Sequence, residues 1–414
     1  MKITEVIEVP AYSSSVRIVD GQAILVAENG NGKTAFLNAV AKGEYRLSSE
    51  IDEVYYFGFG VVIAAAEKIM KKIGAANTPE LLEKISSEVA DPVYQFMKTR
   101  LANVDLKLGI VDENFAWRRL ALIAALNLIH DERYLLLIDE PELMAHPVLR
   151  TEMAVLLKHI RYEGNPVIVA TNLDNVVADL VTNPEQIVRL TIRDGVRSVF
   201  QPDLSALEQR VKDFYHKDPM LLRRFSGEKQ IYQGLKNVVE HNYTNYLGST
   251  LKKQLFDISF SSTVILGEGA SEGVLFDYAA EGLYPEWIRK HRVTFINCLG
   301  KATMPLFFLF LNELGIRVIC MTDYDNNTNR VHNAYRKALN DYEAEHSKVF
   351  RHLELKPDLE GYLQINPDYK LEPIEKPVHI YVHTYATGSA TNKVLNLMTD
   401  WFRLTEEMEG EAHE

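Results

Sequence analysis

Short, unbroken apolar runs recur along the chain, and most are followed by a turn and a stretch in which apolar residues return every three or four positions. In the first half these runs are Gln22-Ala-Ile-Leu-Val-Ala27, Arg133-Tyr-Leu-Leu-Leu-Ile138 and Pro166-Val-Ile-Val-Ala170. In the second half they are Thr263-Val-Ile-Leu266, Arg292-Val-Thr-Phe-Ile296 and Arg317-Val-Ile-Cys-Met321. A strand that is apolar on both faces is buried on both, as in a parallel sheet covered by helices. The pattern predicts an α/β protein with two such sheets. Met1 to Val19 alternates apolar and polar residues and reads as one or two edge strands, and Val54-Tyr-Tyr-Phe57 reads as a further strand. Gln186–Arg193 and Val196–Phe200 read as a hairpin about Asp194-Gly195. Amphipathic helices occupy much of Tyr45 to His130. From Leu204 to Leu255 the pattern is helical again and rich in Lys, Arg, Tyr and His. The expected organisation is a first domain over 1–203 with a helical insert at about 60–110, a helical linker or dimerisation region over 204–258, and a second α/β domain over 259–414.

Composition bounds the picture. At 414 residues the chain is too long for one ordinary core, and 47% hydrophobic with 25% charged residues is a soluble globular profile. No apolar run is long enough to span a bilayer and no secretory leader is evident, so a cytoplasmic protein without a membrane partner is expected. Cys298 and Cys320 sit in strand-like runs and read as buried small hydrophobes rather than a disulfide or zinc pair. The net charge of −12 excludes a surface that is basic throughout, but leaves room for a local basic groove on DNA. Lys68 to Lys72, Arg210 to Arg224, Lys252-Lys253 and Arg289 to Arg292 are the basic clusters, with a solvated helix face as the plain alternative for each.

The first apolar run leads into Glu28-Asn-Gly-Asn-Gly-Lys-Thr34 and then a helix, which is a phosphate-binding loop for ATP. Backbone N–H groups at Asn29, Gly30, Asn31 and Gly32 can converge on phosphate oxygens, Lys33 supplies a positive charge, and the Thr34 hydroxyl can ligate Mg²⁺. Ala27 stands where the motif usually begins with glycine. The second run delivers Asp139 and Glu140 to its end, the first to hold the nucleotide's Mg²⁺ and the second to polarise an attacking water. The third ends at Asn172, which can hydrogen-bond a γ-phosphate but cannot change charge near neutral pH.

In the second half, Gly267-Glu-Gly-Ala-Ser-Glu272 follows one strand and Asp323-Tyr-Asp325 ends another. Glu272 lies four residues after Glu268, and Asp323 and Asp325 alternate to one side of an extended chain. Carboxylates at the ends of neighbouring parallel strands repel one another unless a cation neutralises them, and an all-oxygen set suits Mg²⁺ or Mn²⁺.

A strand ending in Gly-Glu-Gly-x-x-Glu followed by one ending in Asp-x-Asp resembles a Toprim domain, a metal-dependent Rossmann-like parallel-sheet fold. Asp139-Glu-Pro-Glu142 followed by His146-Pro147 resembles the Walker B segment and following loop of ABC-type ATPase heads, in the branch shared with RecF-like proteins and the OLD (overcoming lysogenization defect) family. His146 either orients that loop or is an ordinary loop histidine. ABC heads carry a Ser-Gly signature where this chain reads Val111 to Leu126, without that element, and a switch histidine where Asn172 stands. Arg118 and Arg119 are candidate replacement phosphate contacts, with a structural role as the alternative. Gly300-Lys301 matches a pair common in OLD-type Toprim domains. Asp358-Leu-Glu360 resembles the family's Asp-Leu-Glu helix start, with Asp358 as the cap and Glu360 as a further metal-binding acid, and Lys393 falls near the family's phosphate-steadying lysine.

An ATPase head followed by a Toprim domain is the OLD arrangement, and the resemblance covers nearly the whole chain. It implies a nucleotide-regulated, Mg²⁺- or Mn²⁺-dependent DNA endonuclease or nickase in anti-phage defence. One ion would be held by Glu268, Asp323 and Asp325, and a second near Glu272 and Glu360. A homodimer or larger homo-oligomer is implied, with DNA and a second defence protein as partners. The rival expectation is an ATP-binding sensor or scaffold that assembles with a separate effector. A topoisomerase would need a DNA-gate domain for which no segment remains, and a primase would not need the ATPase head.

Overall fold

The computed structural model describes residues 4–27, 30–58, 62–106, 114–141, 143, 147–172, 180–193, 195–251, 255–324, 329–365, 372 and 374–410. The chain divides into two compact units, Met1–Pro202 and Asp203–Glu414.

The first unit runs through β1 (Thr4–Glu8), β2 (Val16–Val19), β3 (Gln22–Val26), α1 (Lys33–Ala41), β4 (Arg46–Leu47) and β5 (Glu53–Phe57). Four helices follow, α2 (Val62–Ile73), α3 (Thr78–Lys84), α4 (Asp91–Leu101) and α5 (Phe115–Leu126). Then come β6 (Tyr134–Asp139), α6 (Pro147–Tyr162), β7 (Val167–Thr171) and the hairpin β8 (Ile187–Arg193) and β9 (Val196–Phe200). The strands form one nine-stranded sheet in the order β4-β1-β2-β3-β7-β6-β5, with β8 alongside β3 and β9 beyond it. β3, β7, β6 and β5 are parallel, and every residue of β3, β6 and β7 is buried, which is why these runs contain no alternation to read. β1, β2 and β4 pair antiparallel. The carboxyl ends of β3, β6 and β7 therefore lie side by side, where ligands bind in open α/β sheets.

The second unit opens with α7 (Leu204–His216), a small hairpin of β10 (Arg223–Arg224) and β11 (Gly227–Ile231), and the helices α8 (Gln233–Asn237), α9 (Tyr243–Leu251) and α10 (Leu255–Phe260). There follow β12 (Thr263–Gly267), α11 (Ala270–Tyr278), α12 (Pro285–His291), β13 (Val293–Asn297), α13 (Met304–Glu313) and β14 (Arg317–Asp323). The last elements are α14 (Arg330–His346), β15 (Phe350–Leu355), α15 (Leu359–Leu363), α16 (Glu375–Tyr381) and α17 (Thr391–Gly410). The sheet is parallel throughout, in the order β13-β12-β14-β15. The buried face of α17, including Val394, Leu397, Met398 and Trp401, shares one core with Ile265, Ile319 and Leu355 of the strands.

The helices after residue 203 are part of this unit's packing. Tyr215 Oη donates to Ala302 O at 2.5 Å and Tyr243 Oη to Leu306 O at 2.7 Å, and all four residues belong to the second compact unit. Cys298 and Cys320 are buried free thiols, as their apolar surroundings predict. Among the described residues no helix is long and apolar enough to cross a membrane.

Candidate functional site

The phosphate-binding loop turns through Gly30 and Gly32, whose φ angles of 88° and 89° lie in the left-handed region. Gly32 is doubly constrained: a Cβ there would stand 2.9 Å from the Tyr12 hydroxyl, which donates to Gly32 O at 2.6 Å. Lys33 is buried and folds back so that Nζ donates to Ala27 O at 2.6 Å, spanning the loop from inside. Asn31 is half-buried and Thr34 is exposed at the start of α1. Asn29 lies outside the described residues, as do Glu142 and His146.

Asp139 ends β6 at 4% exposure, and its Oδ1 accepts no hydrogen bond among the described residues. Its Oδ2 faces the Tyr56 hydroxyl at 3.5 Å; burial and then the Asp139 charge raise that phenol's pKa, so it stays a donor. A buried carboxylate with an open oxygen beside a phosphate loop fits a nucleotide-bound Mg²⁺. Glu140 adopts a left-handed φ of 48°, its N–H donates to Ala170 O at 2.8 Å, and its Oε1 accepts from Asn172 Nδ2 at 2.5 Å.

What holds that backbone in place is Arg119, for which the sequence offers either a phosphate contact or a structural role, and the structural role is the one its contacts serve. Arg119 is 1% exposed, and its guanidinium donates to Glu140 O at 2.9 Å, Asp139 O at 2.5 Å and Phe57 O at 3.0 Å. A fork of fixed donors suits three converging carbonyls, and these contacts engage the guanidinium with protein rather than with nucleotide. Arg118 is also buried, at 2%. The signal was available: two arginines inside an otherwise apolar helical run have no wet face to occupy.

In the second unit, β12 delivers Glu268 to its carboxyl end and β14 delivers Asp323 to the neighbouring end. Glu268 Oε1 accepts from the Asp323 backbone N–H at 3.0 Å, so the two acids lie within a side chain's reach. Gly267 is required here by close approach: a Cβ would stand 2.5 Å from the Phe295 ring and 2.9 Å from Glu272 Cβ. Glu272, in the first turn of α11, is buried and accepts from Gly269 N at 3.1 Å. Burial chiefly, and then the charge of Glu268, raise its pKa. The same two glutamates, after burial, push the Cys298 thiol far up, so it is no nucleophile.

Two lysines balance these acids. Lys301, 3% exposed, places Nζ 3.3 Å from Glu268 Oε1 and donates to Asp323 O at 2.7 Å. Lys376, which no motif marks, stands 3.1 Å from Glu360 Oε1 and 3.3 Å from Oε2. Burial pulls the Lys376 pKa down, but the carboxylates of Glu360, Asp323 and Asp358 outweigh it and the net shift is upward. Asp323 Oδ1 accepts from Leu359 N at 2.9 Å, which ties the acid to the start of α15. Asp358 caps that helix, accepting from Gly361 N at 2.7 Å. Lys393 is half-buried in the first turn of α17.

Asp325 lies outside the described residues. Among the described residues no group of three or more His, Cys, Asp and Glu side chains converges closely enough to hold a metal ion by itself. Glu268 and Asp323 nonetheless form an all-oxygen pair at adjoining strand ends, and Glu272, whose pKa is raised first by burial and then by the Glu268 charge, stands near them. The donor chemistry fits one hard divalent cation.

Residues 260–325 match the family model for the overcoming lysogenization defect protein-like TOPRIM domain. No curated protein sequence matches the chain. Among solved structures, the RNase-L Inhibitor is similar at 16% identity and a TM-score of 0.34, over 51% of this chain and 42% of that one, so this chain spans less than half of it. The SMC head domain from Thermotoga maritima is similar at 14% identity and a TM-score of 0.28, over 49% and 99%. An ATP-binding cassette in a dimeric post-hydrolysis state bound to ADP and Pi is similar at 16% identity and a TM-score of 0.31, over 47% and 96%. One sheet carries a glycine loop after β3 and Asp139-Glu140 at the end of β6, and the span that matches the OLD-like Toprim domain holds β12 to β14 of the other.

Proposed function

We propose that this chain is a nucleotide-regulated, divalent-metal-dependent DNA endonuclease or nickase of the OLD type, acting in anti-phage defence. The observation that carries the proposal is the pairing of Glu268 with Asp323, at 3.0 Å from carboxylate to backbone N–H, within the span matching the OLD-like Toprim domain. Glu268 and Asp323, with Asp325 beside them in sequence, are the proposed holders of a Mg²⁺ or Mn²⁺ ion. When bound, the ion supplies Lewis acidity and a water acidic enough to deprotonate near neutral pH. The chain's own residues do the rest. Lys301 fixes the Glu268 carboxylate against the Asp323 backbone, and the α15 amide at Leu359 orients the Asp323 carboxylate. Lys393 is proposed to steady the scissile phosphate of DNA.

In the first unit Lys33 and the amides of Gly30 to Gly32 bind ATP phosphates, Asp139 and Thr34 hold its Mg²⁺, and Glu140 accepts a proton from the attacking water. Pairing of two ATPase heads would complete that site, so a homodimer is proposed.

A second reading, an ATP-binding scaffold with little turnover, is favoured by one observation: the Glu140 carboxylate is already engaged by Asn172, a residue that cannot titrate. Plasmid cleavage with Mg²⁺ or Mn²⁺, with and without ATP, separates the two. The nuclease reading expects nicks or breaks that drop at least about 100-fold in Asp323→Ala, the order of loss expected when groups that stabilise developing charge are removed. Cleavage that survives this substitution would remove the proposed site, and no cleavage with any metal would favour the scaffold.

A further inference from the structure

The family resemblance calls for a second divalent ion near Glu272 and Glu360, yet both acids are otherwise engaged; Glu268 too meets an ammonium, Lys301 at 3.3 Å from Oε1, but Lys376 faces both oxygens of Glu360. Glu272 Oε2 accepts from Gly269 N and closes the first turn of its own helix. Glu360 is 5% exposed and its carboxylate is met by the Lys376 ammonium at 3.1 and 3.3 Å. Glu360 Oε1 accepts no directional hydrogen bond among the described residues, so the nearby positive charge is what Lys376 brings to it. A divalent ion ligates carboxylate oxygen at roughly 2.0 to 2.6 Å, within the space the ammonium already holds, and the two cations would repel one another beside the buried Glu360, the Lys376 side chain itself being 39% exposed.

We propose that Lys376 takes the place of the second cation, so that the C-terminal unit holds one divalent ion, at Glu268 and Asp323, with the lysine as its partner charge. The inference rests on the metal-dependent hydrolysis proposed above and refines its stoichiometry. Lys376 is suited to the role by its place in the first turn of α16, where the chain returns beside α15. A primary ammonium is a compact positive charge that can neutralise a carboxylate and face a phosphate without being lost to chelators.

The test is a count of Mn²⁺ ions bound to the full-length, nucleotide-free protein, read by electron paramagnetic resonance at pH 7.5. Wild type is expected to bind one ion, lost in Asp323→Ala. Lys376→Met and Lys376→Gln are expected to gain a second, and Lys376→Arg, which keeps the charge, to stay at one. Should one neutral variant fail to fold, as judged by its thermal transition, the other and the wild-type count decide the matter. Two ions of similar affinity in wild type, or an unchanged count of one in the neutral variants, would overturn the proposal and leave the nuclease reading standing. No ion in wild type would overturn both.

Discussion

His352 shows what the second sheet does to a single titratable group. On β15, its Nε2 lies 2.8 Å from the Thr322 hydroxyl and its Nδ1 lies 2.6 Å from Asn340 Oδ1. These contacts suit one neutral tautomer, with Nδ1–H donating to Asn340 and Nε2 accepting from Thr322. Burial first, then the charges of Lys301 and Arg336, lower its pKa to about 4 from an ordinary 6.5. Because the folded value lies below the unfolded one, the unfolded chain takes up the proton first as pH falls. The stability this residue contributes is present above about pH 6.5 and is lost on the way down to about 4, a total of about 3 kcal/mol. Urea unfolding at pH 7 and pH 4.5 should therefore show wild type losing about 2 kcal/mol more than His352→Gln. Equal losses in the two proteins would mean the imidazole is protonated in the fold. No sequence pattern marks this residue, since its environment is made by Lys301 and Arg336, distant in the chain. Glu268 and Asp323, by contrast, were legible because each directly follows a run too apolar to be anything but a buried strand.

Elements were legible where burial is two-sided and obscure where it is not. β3, β6, β7, β12 and β14 are buried over nearly all their length, so their apolar runs stand out. The β10–β11 ribbon falls in a stretch whose pattern predicts helix, because Arg223-Arg224 and Gly227-Glu-Lys-Gln-Ile231 carry almost no apolar residues to reveal a period of two. α17 was visible as an amphipathic helix, but its docking was not. It buries Trp401 and Met408 completely, and Glu409 near its end accepts from Arg317 Nη2 at 2.9 Å. The Trp401 indole N–H has no acceptor among the described residues, so the side chain contributes through packing alone. Trp401→Ala should cost about 3 to 5 kcal/mol in urea unfolding of the second unit. Trp401→Phe should cost less than half of that, because it removes an unpaired buried donor along with the lost volume. A Phe variant as damaged as the Ala variant would show that the indole N–H is satisfied.

At the scale of the molecule, each compact unit has a hydrophobic core of its own, one set around β3, β6 and β7 and one around β12, β14 and α17. The two proposed ligands fall on different units, ATP at Lys33 and a divalent ion at Glu268 and Asp323. A ligand that binds only the folded form stabilises what it touches by about 2.7 kcal/mol at a hundred times its dissociation constant. For units of about 200 residues that is a rise of about 5 to 10 °C in midpoint. Scanning calorimetry should thus resolve two transitions. Mn²⁺ alone should raise one of them, in a manner abolished by Asp323→Ala. ATP added with EDTA, so that no free metal reaches the second unit, should raise only the other, in a manner abolished by Lys33→Ala. A single transition that both ligands shift alike would mean the cores unfold as one, and regulation of cleavage by nucleotide would then be carried by shared stability. Two separate responses would mean that the units unfold independently, and nucleotide control of cleavage would then need a coupling free energy between the two sites carried by their native conformations.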